Sequence, residues 1–565
     1  MRKLYLSLAI AAALSGAVQK PNVKLLHVPV VMRDGVHLSA NVFLPFDRAR
    51  FPAILVRTPY GKGADLLPGY QSFVDHGYAV VVEDVRGRYE SEGAFEPLSQ
   101  EPADGDDTLN WIARQPWSDG KVGMTGGSYL GITQWKVALL NNPHLKAIFP
   151  VVAGDDDYRD RFYSTGGAMK LGNRLEWMAE NLKAPGYHPD FAKFVLHLPV
   201  RTADVAATGW ESPMFRLAIR HPAYDAFWRA ISTKDQLEKV RIPVFSIGGW
   251  YDNFVESDLD AYMKLRKNSG LNRILIGPWP HNMSNRFEGV DFGHDAFVPV
   301  RSLQIEWFDQ WLMGKDTLLV SKPSVQVFVM GANRWREERE WPPEGARERK
   351  FYLLSNGHAN SLDGDGVLSE KPPRRTAQDR YVFDPQYPVP TRGGAVCCNP
   401  RIFPWGPMDQ RPVERRKDVL VYSTPPLKQD VEVIGAVKAV LYVTTSARDT
   451  DFTAKLVDVF PDGAARNLTD GILRLRYRNS LEKPELAKET EIYQITVDAG
   501  VTGNVFLAGH RIRLEISSSN FPRFDRNPNT GGPVADETRL LRANQTVFHD
   551  REHASHLALM VMGKG

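Results

Sequence analysis

At 565 residues, 43% of them hydrophobic, the chain exceeds what a single core supports and has enough apolar residues to build more than one, which excludes general disorder. Lys+Arg 70 against Asp+Glu 67 leaves a net charge of +3 with no basic block, so nothing supports a nucleic-acid partner and a small molecule is the expected ligand. The two cysteines, Cys397 and Cys398, are adjacent; neighbouring residues rarely reach relaxed disulfide geometry, so no disulfide framework is expected, and a two-thiol metal site lacks partners at ligand spacing.

The chain begins with Met1, Arg2 and Lys3, followed by an apolar run from Leu4 to Leu14 that is too short for a stable membrane anchor. Ser15, Gly16 and Ala17 supply the small residues of a signal-peptidase site, so residues 1–17 read as a signal peptide. The expected mature protein starts near Val18, is periplasmic or secreted, and keeps no membrane anchor. From about residue 24 to 155, strand-like runs (Ala53 to Arg57, Tyr78 to Asp84, Val122 to Thr125, Ala147 to Val152) alternate with helical patterns, as in a parallel sheet covered on both faces. Two further strands, Pro243 to Ile247 and Arg273 to Ile276, extend this unit over residues 236–316. Residues 156–235 are then an insertion, and its helical patterns at Leu171 to Leu182 and His221 to Ile231 predict a cap. Beyond residue 316 the texture turns to short alternating runs, including Val325 to Val329, Ala436 to Val443 and Arg511 to Ile516. Residues 317–565 are therefore predicted to form an all-β sandwich or jelly roll.

The segment Lys121 to Gly131 runs from an apolar strand through paired glycines and a serine into a helical pattern, the signature of a nucleophile elbow with Ser128 at its apex. Residues beside such a serine must be nearly free of side chain, a need met by Gly126, Gly127 and Gly131. The generic spacing wants glycine two places after the serine, where this chain has Leu130. A serine hydroxyl needs a base within hydrogen-bond reach and a third group to orient that base. Asp252 directly follows the strand ending at Ile247, and His281 follows the strand ending at Ile276, in the chain order Ser, Asp, His. The N–H of Tyr129, next after the nucleophile, is an oxyanion donor by position. The loop Arg57 to Gly61 supplies the second donor, with Tyr60 able to offer its phenol.

These segments, together with Asp84 to Gly93 and Phe383 to Gly394, resemble the cocaine esterase (CocE/NonD) family of α/β-hydrolases, related to X-Pro dipeptidyl-peptidases, α-amino acid ester hydrolases and glutaryl acylases; the similarity spans nearly the whole mature chain. The resemblance implies an α/β-hydrolase domain with a helical cap and a C-terminal jelly roll. It implies Ser128, Asp252 and His281 as the triad, Tyr60 and Tyr129 as the oxyanion hole, and Phe254 and Phe162 as aromatics of the acyl pocket. Amino acid ester hydrolases place carboxylates just after the triad aspartate, where this chain has Phe254 and Val255, so an uncharged acyl group is the expected occupant.

The acidic run Asp155 to Asp157 with Asp160 reads as a solvated face, with attraction of a cation as the alternative. Asp84, Arg86 and Glu92 read as a salt-bridged turn bracing the elbow, and Trp307 to Trp311 as a helix face packing two domains together. The sequence thus predicts a serine hydrolase cleaving small-molecule esters through an acyl-enzyme, without metal or organic cofactor. Dipeptidyl-peptidase or acylase action on an amide is the nearest alternative, and a glycan- or partner-binding protein the remaining one.

Overall fold

The computed structural model describes residues 23–45, 50–267, 271–375 and 377–563; the signal segment at 1–17 lies outside them. Ten strands form the first sheet: β1 (Val23–Val31), β2 (His37–Leu44), β3 (Phe51–Thr58), β4 (Ala79–Asp84), β5 (Ser118–Gly127), β6 (Leu145–Val151), β7 (Phe245–Gly249), β8 (Arg273–Gly277), β9 (Val325–Val329) and β10 (Arg334–Glu338). Their spatial order is β1-β2-β4-β3-β5-β6-β7-β8-β9-β10. From β4 to β9 all pairings are parallel, and the strand interiors are runs of buried Val, Ile and Leu with no polar alternation, as burial on both faces demands.

The six helices that position the site are α1 (Pro68–Asp75), α2 (Glu101–Arg114), α3 (Tyr129–Ala138), α4 (Leu171–Asn181), α5 (Val255–Leu265) and α6 (Val300–Met313). On one face of the sheet Leu109 and Ile112 of α2, Trp135 of α3 and Ala261 of α5 pack on Leu55, Val81 and Met124. On the other, Phe73 of α1 with Trp307 and Phe308 of α6 covers Ile54, Val80, Phe149 and Phe245. The aromatic face of α6 therefore packs the first sheet internally, with Trp307 Nε1 donating to Ile148 O at 3.2 Å, and does not join two domains as the sequence suggested.

Two sequence expectations shift at the edges of this sheet. Val325–Val329, grouped with the C-terminal β texture by its alternation, pairs in parallel with β8 and so extends the first sheet past residue 316. The antiparallel ribbon of β1 and β2 was not read at all. The first pairing depends on a partner distant in sequence; the second is a local hairpin in which Val31 pairs with His37.

Between β6 and β7 the insert is helical. Its core gathers Leu175, Met178, Phe194, Phe215 and Trp228 around Tyr129 of α3 and Phe521 of the C-terminal region. The helical pattern at His221 narrows to Ala226–Ile231, because the Asp225 side chain accepts from Phe227 N and caps the helix there. The C-terminal region is an eleven-stranded sheet whose longest strand, Val431–Thr445, buries Val433, Val437, Ala439, Leu441 and Val443 on alternate positions. Trp250 and Tyr251, just after β7, sink into that second core beside Val433, Leu456 and Leu514. Trp250 Nε1 donates to Phe328 O at 2.6 Å, and Tyr251 OH to Asn467 O at 3.1 Å. The architecture is that of an α/β-hydrolase with a helical insert and a C-terminal all-β region.

Candidate active site

Ser128 sits between β5 and α3 with φ 55° and ψ −124°, a left-handed conformation that ordinary residues avoid. Its neighbours explain both the turn and the departure from the generic spacing. A Cβ on Gly126 would lie 2.5 Å from Leu130 Cβ, so Leu130 packs over the space that glycine leaves open. A Cβ on Gly131 would lie 2.4 Å from Ala153 Cβ, which places the close helix-to-strand approach one residue later than the generic pattern. Gly127 is less constrained, since its Cβ would meet nothing nearer than 3.4 Å. Tyr129 is the first helical residue of α3, so its N–H belongs to the donors a helix start leaves without an internal partner.

Behind the elbow lies a buried polar network that the sequence reading missed. Tyr129 OH donates to Glu101 Oε1 at 2.9 Å; Glu101 Oε2 accepts from Arg57 Nη1 at 2.6 Å; Arg57 Nε donates to Glu83 Oε1 at 2.7 Å. Arg57 and Glu83 are 0% exposed, so every charge here depends on its partners. Burial pushes the Glu83 carboxyl up to about 7 against the opposing pull of Arg57. The signal available was Arg57 itself, a charged residue within an otherwise apolar strand. Asp84, Arg86 and Glu92 brace something else: Asp84 pairs with Lys62 at 3.0 Å, Arg86 with Asp104 at 2.6 Å and Asp34 at 2.7 Å, and Glu92 accepts from His37 N at 3.0 Å. That turn is tied to β2, α2 and the loop after β3.

Asp252 follows β7 and His281 follows β8. Asp252 is fully buried and its Oδ2 lies 2.6 Å from His281 Nδ1, while its Oδ1 accepts from Phe254 N at 2.9 Å. The bond from Nδ1 leaves Nε2 as the nitrogen available to a substrate-side hydroxyl. Ser128 shares the pocket wall with Tyr60, and no bond joins its hydroxyl to His281 among the described residues. In free enzymes such bonds are often long and shorten with substrate in place. Trp177 Nε1 donates to Tyr60 OH at 3.1 Å. Burial raises the Tyr60 phenol above its ordinary value, so it stays a protonated donor at neutral pH.

Tyr60, Ser128, Tyr129, Phe162 and Phe254 all line one pocket. Phe254 packs on the His281 ring with centroids 5.6 Å apart. Cys397 and Cys398 also line it, brought from the C-terminal region, and their sulfurs are joined, contrary to the sequence expectation. The peptide bond between them is cis and holds the two Cα atoms 3.1 Å apart, which brings the side chains together. The two sulfurs and a ring nitrogen of His281 lie within 4.8 Å of one another, a grouping the sequence spacing gave no sign of. Joined as a disulfide, the sulfurs are not thiolate ligands.

The acidic run is not a solvated face. Asp155, Asp156, Asp157 and Asp160 are at most 3% exposed. Asp157 pairs with Lys136 and, at 2.8 Å, with Arg161; Asp156 pairs with Lys234 at 2.8 Å. Asp160 Oδ2 accepts from Ser257 Oγ at 2.6 Å and Asp156 N at 2.9 Å, and burial pushes this carboxyl up to about 6. Lys136 comes from α3 and Lys234 from the far end of the insert, both distant in sequence, while Arg161 directly follows the run.

Residues 34–283 match the family described as X-Pro dipeptidyl-peptidase (S15 family), and residues 320–558 match the X-Pro dipeptidyl-peptidase C-terminal non-catalytic domain. The chain is 41% identical to a cocaine esterase of Rhodococcus sp. (strain MB1 Bresler), over 95% of this chain and 98% of the relative. Among solved structures, an aminopeptidase from a marine sediment Thaumarchaeota archaeon superposes with a TM-score of 0.84 at 26% identity, covering 96% of both chains. An α-amino acid ester hydrolase superposes with a TM-score of 0.83 at 26% identity, covering 98% of this chain and 100% of the other. With an elbow serine, an aspartate-bound histidine and full-length similarity to an esterase, the chain belongs to the cocaine esterase-like (CocE/NonD) family of α/β-hydrolases and is a serine hydrolase of the esterase type.

Proposed function

We propose that Ser128 is the nucleophile, His281 its general base and Asp252 the orienting carboxylate of an acyl-enzyme mechanism. The observation that carries this reading is the 2.6 Å bond between Asp252 and His281 Nδ1, formed by loops that follow adjacent strands of the sheet that carries the elbow. His281 takes the Ser128 proton as the hydroxyl attacks the ester carbonyl, and Asp252 stabilises the imidazolium. The Tyr60 hydroxyl and the Tyr129 N–H hold the oxyanion, and Trp177, bonded to the Tyr60 oxygen, fixes the direction of that phenol. His281 then returns its proton to the leaving alkoxide and activates the water that frees the acid. Phe254 and Phe162 give the acyl group its apolar surroundings.

The ester reading is preferred to cleavage of substrates with a free amine because Asp160 is the one carboxylate among the described pocket-lining residues, and its charge is diminished by burial. The test is a rate comparison of wild type and Ser128→Ala on p-nitrophenyl esters and amino-acid p-nitroanilides, with fluorophosphonate labelling of Ser128. Serine-dependent ester cleavage supports the assignment; labelling that persists in the alanine variant overturns it. We also propose that residues 1–17 direct export and are removed. A disulfide at Cys397 and Cys398 fits an oxidising compartment. The N-terminus of protein recovered from outside the cytoplasm should lie near Val18, and an intact Met1 there would refute cleavage.

A further inference from the structure

The cap side of the pocket holds polar groups that the proposed chemistry does not use. Asn173 of α4 lines the pocket, is 8% exposed, and has a hydrogen-bond partner for neither amide atom among the described residues. Leaving an amide dry and unpaired is costly, and such a group in a pocket wall is paired when the pocket is filled. Arg174, the next residue, also lines the pocket. Its guanidinium stacks over Phe162 at 4.7 Å and Trp177 at 5.3 Å and donates from Nε and Nη2 to Arg161 O at 3.2 Å, so it is held in place through one edge.

The charges around the pocket do not cancel at this point. Arg161 is matched by Asp157 at 2.8 Å, and Asp160 lies in the field of Arg159, Arg161 and Lys170. Arg174 has no carboxylate within ion-pair distance among the described residues, and Nη1 has no hydrogen-bond partner there. Burial and the neighbouring Arg161 lower its pKa to about 10, so it remains a cation at neutral pH. Trp177 links the two functions directly: its Nε1 bonds the Tyr60 hydroxyl while its ring lies under Arg174. The unmatched cation is thus one indole away from the oxyanion donor, on the side of Phe162.

We propose that Asn173 and Arg174 form a carboxylate subsite, and that the preferred substrates are esters whose acyl group ends in a second, free carboxylate. This rests on the catalytic reading above and departs from the uncharged acyl group that the sequence led us to expect. The apolar stretch of the acyl chain lies against Phe162 and Phe254, and its terminal carboxylate accepts from Arg174 Nη1 and the Asn173 amide. Asn173 and Arg174 are specificity residues, acting on binding of the acyl group and not on the serine.

The experiment compares kcat/KM of the full chain for the mono-p-nitrophenyl esters of succinate, glutarate and adipate with p-nitrophenyl esters of neutral acids of equal length. A charge-assisted pair of hydrogen bonds corresponds to about ten- to hundredfold, so at least one hemiester should exceed its neutral counterpart by about tenfold. Arg174→Leu should lower that ratio by ten- to hundredfold, mainly through KM, and Arg174→Lys should restore part of it. As a measurement free of turnover and of variants, the free dicarboxylate should protect Ser128 of the wild type from fluorophosphonate, and its diamide should not. Ready cleavage of neutral esters with hemiesters disfavoured, or equal protection by acid and diamide, overturns the subsite while leaving the catalytic reading intact. A fluorophosphonate that fails to label Ser128 sinks the catalytic reading itself, and the subsite with it.

Discussion

Beneath the floor of the pocket, Gln134 of α3 donates to Gly126 O at 3.2 Å and Leu130 O at 3.0 Å and accepts from Phe149 N at 3.0 Å, while Tyr129 is tied through Glu101 to Arg57. On the cap side, neither amide atom of Asn173 has a hydrogen-bond partner among the described residues. Both surfaces are buried, and both use amide side chains. The floor holds its polar groups to one another and so fixes geometry; the cap wall keeps its own open to the pocket and so is ready for a ligand. On the proposed reading, reaction type and substrate choice belong to different secondary structures of one cavity.

The comparison breaks most sharply at the serine. Ser128→Ala should lower ester kcat by at least about 10⁴-fold with the melting temperature preserved, measured on p-nitrophenyl esters and by calorimetry; retained activity would remove the elbow from the mechanism. Tyr60→Phe should lower kcat by about 10²–10³-fold on every ester alike, since the loss falls on the oxyanion and not on any one acyl group. A substrate-dependent loss would move Tyr60 from the floor to the wall. The same change of side chain should then act with opposite signs on the two surfaces. Gln134→Leu strands the Phe149 N–H and takes a donor from Gly126 O and should cost about 2 kcal/mol in urea unfolding. Asn173→Leu removes an unpaired amide from the free enzyme and should stabilise it by about 1 kcal/mol, a gain in stability accompanied by lost selectivity.

Much of the floor could be read from the chain because its determinants are local. A run such as Ala79-Val-Val-Val can only be a buried strand, and an elbow needs its glycines within three residues of the serine. Asp252 and His281 were legible for the same reason, each lying just past a strand of strong apolar character. What escaped was whatever depends on a distant partner. The acidic run, with Arg159 and Arg161 beside it, reads as solvated until Lys136 and Lys234 close on it from elsewhere in the chain. The strand Val325–Val329 has the alternation of a sandwich strand and is claimed by β8. Trp177 and Arg174 lie in an ordinary amphipathic pattern that gives no hint of which side meets Tyr60.

The disulfide at Cys397 and Cys398 places a piece of the C-terminal region in the wall beside His281. That region matches a domain described as non-catalytic, yet it also buries Trp250 and Tyr251, the two residues leading to Asp252. The hydrolase unit cannot be treated as a self-sufficient machine with a passenger attached. Its second half works as a lock plate, completing the keyhole and seating the bolt, so grafting a foreign C-terminal half should alter what enters the pocket and how firmly Asp252 is held, without touching Ser128, Asp252 or His281.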